Sequence, residues 1–77
     1  MDKTIGSNKY RDLISWLKRS REKQGLSLRD LGNQLNKPHS FVHKVEMFER
    51  RLDIYEYVKY CEGLDIKPED GLKFLKK

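Results

Sequence analysis

Two short helices that follow each other almost without a break constrain the fold of this chain most strongly. The tetrapeptide SLRD has the residue types of a capping box at Ser27 and Asp30, and it predicts a helix over residues 28–35. The segment NKP then ends that helix, because Asn36 tolerates a left-handed backbone. Pro38 suits the first turn of the next helix, which we expect to reach about residue 47.

The connection between these two helices is so short that they must cross at a steep angle. Gly32, inside the earlier helix, costs about 1 kcal/mol of helix propensity relative to alanine. A close crossing explains that loss, because no larger side chain would fit there. Two short helices, a tight turn and a small residue at the crossing indicate a helix-turn-helix.

The rest of the chain also has the pattern of short helices, so we expect an all-α fold of five helices. The first should cover residues 8–24, with Gly25 as a left-handed cap. Asp53 should cap a fourth helix that ends at Gly63, and Pro68 should open a short fifth one. Within the fourth helix, helical spacing predicts a buried set: Ile54, Tyr57, Val58 and Cys61.

Length and composition exclude several classes of function. The 77 residues make one small domain, and we expect a flexible tail over 1–7 and a single domain over 8–77. Charged residues reach 38% and apolar residues 36%, which leaves little material for a catalytic pocket beside a core. We find no nucleophile with a base, no paired acids and no phosphate-cradling loop, so we expect no enzyme, cofactor or small-molecule ligand.

The charge balance suits an acidic partner, although a merely soluble surface is an equal alternative on charge alone. Lysine and arginine number 17 against 12 acidic residues, a net charge of +5. No apolar run approaches the roughly 20 residues of a membrane span, and no secretion signal is recognisable. With Cys61 as the single cysteine, these features predict a cytoplasmic protein without a membrane partner.

The third helix divides into two faces when each residue advances by 100°. Val42 and Val45 face the core, and the opposite face is a polar arc: His39, Ser40, His43 and Lys44. These donors, with no carboxylate among them, suit the acceptors of a DNA major groove, although an ordinary solvated face is the alternative. A metal at the two histidines is not expected, because a structural zinc site needs four ligands.

Arg21 should brace this helix from behind. It projects from the same arc of the first helix as the apolar residues Tyr10, Leu13, Ile14 and Leu17. A guanidinium there is partly desolvated and requires a carboxylate. Glu46, at the edge of the apolar face of the third helix, is the candidate partner.

Two segments, REKQGLSLRDLGNQLNKPHSFVHKVE and ERRLDIYEYVKYCEGLDI, together resemble the Cro/Xre-type helix-turn-helix DNA-binding domains of phage repressors and small bacterial regulators. The resemblance covers about residues 10–75. It implies a compact five-helix lambda-repressor-like domain that regulates transcription, as a repressor, by binding double-stranded DNA. It also implies a homodimer on a near-palindromic site with half-sites about one DNA turn apart.

The resemblance assigns roles to individual residues. His39, Ser40 and Lys44 would read bases, and we expect the same of His43 from its place in the polar arc. Arg21 with Glu46 would form the family's internal ion pair. Contacts to phosphates would come from Ser27, Arg29, Arg50 and Arg51, and we expect a further one from Lys37.

The chain departs from the family pattern at two positions. Leu28 stands where the family commonly has glutamine, and Phe48 stands where it usually has glycine. A left-handed turn at phenylalanine would be strained, so we expect the loop to follow another path. Met47 and Phe48 then either fold under the domain or form an exposed apolar pair for a protein partner. The second possibility leads to an alternative function, a protein-interaction module such as an antitoxin or anti-repressor.

The carboxyl-terminal apolar residues also leave two possibilities open. They either complete the core or form a dimer contact: Leu72, Phe74 and Leu75.

Overall fold

The computed structural model describes residues 8–76, and within them the chain is all-helical. The elements are α1 Asn8–Lys23, α2 Leu28–Leu35, α3 His39–Glu46, α4 Ile54–Leu64 and α5 Pro68–Leu72, followed by a 3-10 turn at Lys73–Leu75. This order confirms the expected five-helix fold. The tail predicted over residues 1–7 lies outside the described residues.

The ends of α2 are formed by the residues that the sequence indicates. Ser27 Oγ accepts a hydrogen bond from the Asp30 amide at 3.0 Å, and the Asp30 carboxylate accepts from the Ser27 amide at 2.9 Å. Asn36 ends the helix in the left-handed region with φ 62. The expectation for Pro38 was wrong by one position: its ψ of 156 is extended, so it precedes the first turn, and α3 begins at His39.

Gly32 lies where α2 meets the start of α3. A Cβ atom on Gly32 would lie 2.8 Å from the carbonyl oxygen of Lys37 and 3.3 Å from the amide nitrogen of His39. The backbone of the turn thus occupies the space of the missing side chain. This contact confirms the close crossing and sets how α3 leaves α2.

The hydrophobic core is formed by side chains of α1, α2, α3 and α4. Its fully buried members include Ile14, Leu17, Leu31, Val42, Val45, Tyr60, Cys61 and Leu64. The prediction that Ile54 is buried was wrong, because its side chain is 74% exposed. Tyr60 and Leu64, which the sequence analysis left out, share the buried face of α4 with Tyr57 and Cys61 and turn it away from Ile54. Val58 is half-buried.

An aromatic contact packs the carboxyl-terminal segment against α1. The ring of Phe74 lies 6.0 Å from the ring of Trp16 on α1, measured between centroids. Phe74 therefore completes the core, whereas Leu72 and Leu75 are exposed. Among the described residues, no helix is long and apolar enough to cross a membrane.

Candidate nucleic-acid interface

Helix α3 is anchored on one face and open on the other. Val42 and Val45 have no exposed surface, and all four residues of the polar arc are exposed. The single acidic residue of the helix, Glu46, is turned inward. The open face of α3 is therefore made of hydrogen-bond donors without a carboxylate.

Arg21 and Glu46 form a two-point ion pair behind the polar arc. Arg21 Nε lies 2.6 Å from Glu46 Oε2, and Nη2 lies 3.1 Å from Oε1. Nη1 donates to the Leu26 carbonyl oxygen at 2.7 Å, so the same guanidinium also holds the connection between α1 and α2. Hydrogen bonding to Glu46 raises the pKa of Arg21 above its usual value, and burial opposes this effect without cancelling it.

Tyr60 lies beneath this pair and was missed by sequence reasoning. Its hydroxyl is buried and has no hydrogen-bond partner among residues 8–76. Burial, and then the negative charge of Glu46, raise its pKa, so the hydroxyl stays neutral. No pattern in the sequence could reveal this, because an unpartnered hydroxyl depends on the packing around it.

The residues expected to contact phosphates lie at the start of α2 and in the segments that flank α3 in the sequence. Ser27 and Arg29 are exposed at the start of α2, and Lys37 and Arg51 are exposed at the two ends of α3. Leu28, at the family's glutamine position, is half-buried and packs against the core. A side chain turned to the core cannot contact a phosphate, so Arg29 is the candidate at this end.

The guanidinium of Arg50 is already bound within the protein. It donates to the two carboxylate oxygens of Glu56 at 3.0 and 2.7 Å and to the Arg51 carbonyl oxygen at 2.8 Å. The Arg50 guanidinium also lies 4.9 Å from the centroid of the Phe41 ring, and Lys37 Nζ lies 5.4 Å from it. Sequence reasoning missed Phe41 and Glu56.

The segment between α3 and α4 follows the left-handed path that the sequence argued against. Phe48 has φ 63, so the expectation of another path was wrong. The ring explains the outcome: it packs against the core, and the guanidinium of Arg11 lies 4.7 Å from its centroid. Met47 beside it is 53% exposed, so the pair divides into one packed and one exposed side chain.

Metal ligands do not converge in the part of the chain that the structure describes. No three histidine, cysteine, aspartate or glutamate residues of 8–76 come together. Cys61 is buried in the core, where burial raises the pKa of its thiol.

Comparisons with known proteins agree with this architecture. The solved structure of an XRE-family like protein from Pseudomonas syringae pv. tomato str. DC3000 matches with a TM-score of 0.85 and 36% sequence identity. The match covers 96% of this chain and 90% of that one. No protein-family model matches the sequence, and no curated protein matches it either. At this identity and coverage, the chain belongs to the XRE family of helix-turn-helix proteins.

Proposed function

We propose that this protein is a sequence-specific DNA-binding regulator of transcription that reads the major groove with α3. The observation that carries the proposal is the polar arc, His39, Ser40, His43 and Lys44, exposed on a helix that is anchored from behind. Base edges in the major groove present acceptors that such donors can distinguish. Membership of the XRE family, whose resemblance implies DNA-binding regulators, supports the same function.

The phosphate contacts would come from the residues around the arc. Arg29, Lys37 and Arg51 are exposed cations, and a net charge of +5 favours any duplex. Ser27 can still donate its hydroxyl proton to a phosphate, because its oxygen acts as the acceptor in the helix cap. Such contacts would orient the domain, and the polar arc would supply the specificity.

The finer part of the proposal is a cytoplasmic homodimeric repressor. Two copies on a near-palindromic operator would place their α3 helices in successive major grooves, about one DNA turn apart. Repression would follow from occupancy of the operator. No catalytic activity is proposed.

Selection of bound DNA from a random duplex library tests this function. We expect an enriched inverted repeat with half-sites about 10 base pairs apart. The Lys44→Ala variant, selected in parallel, should enrich a different or weaker sequence. A wild-type pool without any enriched sequence would sink sequence-specific binding.

The alternative function is a protein-interaction module such as an antitoxin or anti-repressor. It is favoured by exposed apolar side chains at the end of α3 and the start of α4: Met47, Ile54 and Tyr55. Under this alternative the selection enriches nothing. Substituting Ile54 and Tyr55 with serine would then remove the main activity, whereas the polar arc could be changed without effect.

A further inference from the structure

Four side chains meet at Phe41 on α3, and we call them the Phe41 cluster: Lys37, Phe41, Arg50 and Glu56. Lys37 comes from the turn before α3, Arg50 from the segment after it, and Glu56 from α4. Two of the proposed phosphate contacts, at opposite ends of α3 in the sequence, thus lie against the same aromatic ring.

The cluster borders the polar arc. Around α3, Phe41 lies 60° from Lys44 in the 100° periodicity of a helix. The backbone connects them more directly, because the Lys44 carbonyl oxygen accepts hydrogen bonds from the amides of Glu49 at 2.8 Å and Arg50 at 3.2 Å. A phosphate beside the arc would therefore lie within reach of the cluster.

Arg50 has a carboxylate partner that offers the geometry of a phosphate. Glu56 takes two hydrogen bonds from the guanidinium fork, which is the bidentate arrangement that arginine also makes with phosphate. The side chain of Arg50 is nevertheless 41% exposed, and that of Glu56 is 17% exposed. An approaching anion can thus reach the guanidinium and must meet the charge of Glu56.

We propose that Glu56 is an internal competitor that limits the affinity of this surface for DNA, by holding the guanidinium of Arg50 and repelling the phosphate that would replace it. The inference rests on the proposed function. It makes Arg50 a phosphate contact whose strength depends on Glu56. Asp53, another carboxylate near the cluster, is engaged in capping α4.

The Glu56→Gln variant tests the proposal because it removes the charge and keeps the fold. Glu56 Oε1 also accepts from the Asp53 amide at 3.1 Å as half of a capping box, and glutamine fills that role equally. We expect about two- to fivefold tighter binding to a random-sequence duplex of about two helical turns. The slope of log K against log salt should steepen by up to about one.

Two further variants separate competition from added positive charge. Glu62→Gln makes the same charge change on α4, at a carboxylate that is paired with Lys59 at 3.5 Å. Glu62→Gln should tighten binding to the duplex less than Glu56→Gln does. Arg50→Ala combined with Glu56→Gln should lose the whole gain in DNA affinity, because that gain requires the guanidinium that Glu56 releases.

The possible results separate a failure of the competition by Glu56 from a failure of the proposed DNA binding. Equal gains in Glu56→Gln and Glu62→Gln, or a gain that persists without Arg50, overturn the competition. A wild-type protein that binds no duplex at all overturns the proposed function as well. Should Glu56→Gln fail to fold, the wild-type protein still decides: DNA must shift the carboxyl resonance of Glu56 in a carbon NMR spectrum, and an unmoved resonance contradicts the proposal.

Discussion

Arg21 on α1 donates two parallel hydrogen bonds to the carboxylate of Glu46 on α3, with Nε 2.6 Å from Oε2. The side chains are only 12% and 6% exposed, so the charges are largely removed from water. Because Glu46 lies on the same helix as the polar arc, the orientation of the arc depends on this pair. The pair thus adds to Val42 and Val45 in holding α3 against the rest of the domain.

Breaking this pair should destabilise the fold strongly. Arg21→Ala and Glu46→Ala should each lower the free energy of unfolding by about 2 kcal/mol or more, because the remaining charge is left without compensation. The double variant should cost less than the sum of the two. Urea unfolding of all four proteins measures this coupling.

An exposed pair provides the control for that experiment. Lys59 and Glu62 lie 3.5 Å apart on the surface of α4, and their removal should cost at most about 1 kcal/mol. If the losses at Arg21 and Glu46 are as small as these and simply additive, the pair does not brace α3.

The left-handed backbone at Phe48 predicts an unusual order of stability. Phe48→Ala loses the packing of the ring and keeps a Cβ atom at φ 63, whereas Phe48→Gly loses the packing and relieves the strain. The glycine variant should therefore be more stable than the alanine variant, by about 1 kcal/mol. Thermal or urea unfolding checks the order.

Lys18 serves as the matched position for this test. It is exposed in the middle of α1, where glycine should be less stable than alanine by about 1 kcal/mol. The same order at Phe48 as at Lys18 would show that φ 63 is not held in solution.

Features that depend on residues close together in the sequence could be predicted, whereas several contacts between distant residues could not. The ends of α2 could be predicted because Ser27, Asp30 and Asn36 act on their own backbone within a few residues. The close crossing at Gly32 could be predicted because glycine lowers the stability of a helix, and a close approach of another backbone explains why it is there. These local rules account for the order and bounds of the helices.

The errors arise where packing between distant residues outweighs a local rule. Phe48 is strained locally, but its ring packs against the core and Arg11. Ile54 satisfies helical spacing, yet the buried face of α4 turns toward Tyr60. The Phe41 cluster was missed for the same reason, although the capping box from Asp53 to Glu56 was visible in the sequence and would have identified one of its members.

Glu56 should make the stability of the protein sensitive to acid. Burial raises the pKa of its carboxyl, but hydrogen bonds from Arg50 and the Asp53 amide, with the charges of Arg50 and Lys37, outweigh burial and leave the pKa below its usual value. A depressed pKa contributes stability that is complete above the unfolded value of about 4.3 and is lost as pH falls through the folded value.

Melting temperatures at neutral pH and near pH 3 measure this contribution. Glu56→Gln should lose less stability between the two conditions than the wild-type protein does. Glu62→Gln, which removes an exposed carboxylate, should resemble the wild type. Identical acid sensitivity in all three proteins would contradict the role of Glu56.

Arg29 should act on DNA of any sequence. As a phosphate contact at the start of α2, its change to alanine should weaken binding to specific and random duplexes by a similar factor. The slope of log K against log salt should shrink by about one. Arg19, exposed on the outer side of α1, provides the control, and its change to alanine should leave the slope nearly unchanged. Equal slopes for the two variants would remove Arg29 from the interface.

Changes in the polar arc should weaken binding to the preferred DNA sequence much more than binding to random DNA. Lys44 can donate to the O6 and N7 acceptors of guanine, and His39 at the start of α3 can donate to a neighbouring base edge. Lys44→Ala and His39→Ala should each cost about 1–3 kcal/mol on the preferred site and much less on random DNA. Both variants should keep the circular dichroism and melting temperature of the wild type, because both side chains are exposed. Lys18→Ala removes an equal charge from α1 and should leave the preference intact, and zinc or a chelator should leave binding unchanged. If both arc variants still select the wild-type sequence from a random library, the arc does not read bases, and binding to a protein partner becomes the leading function.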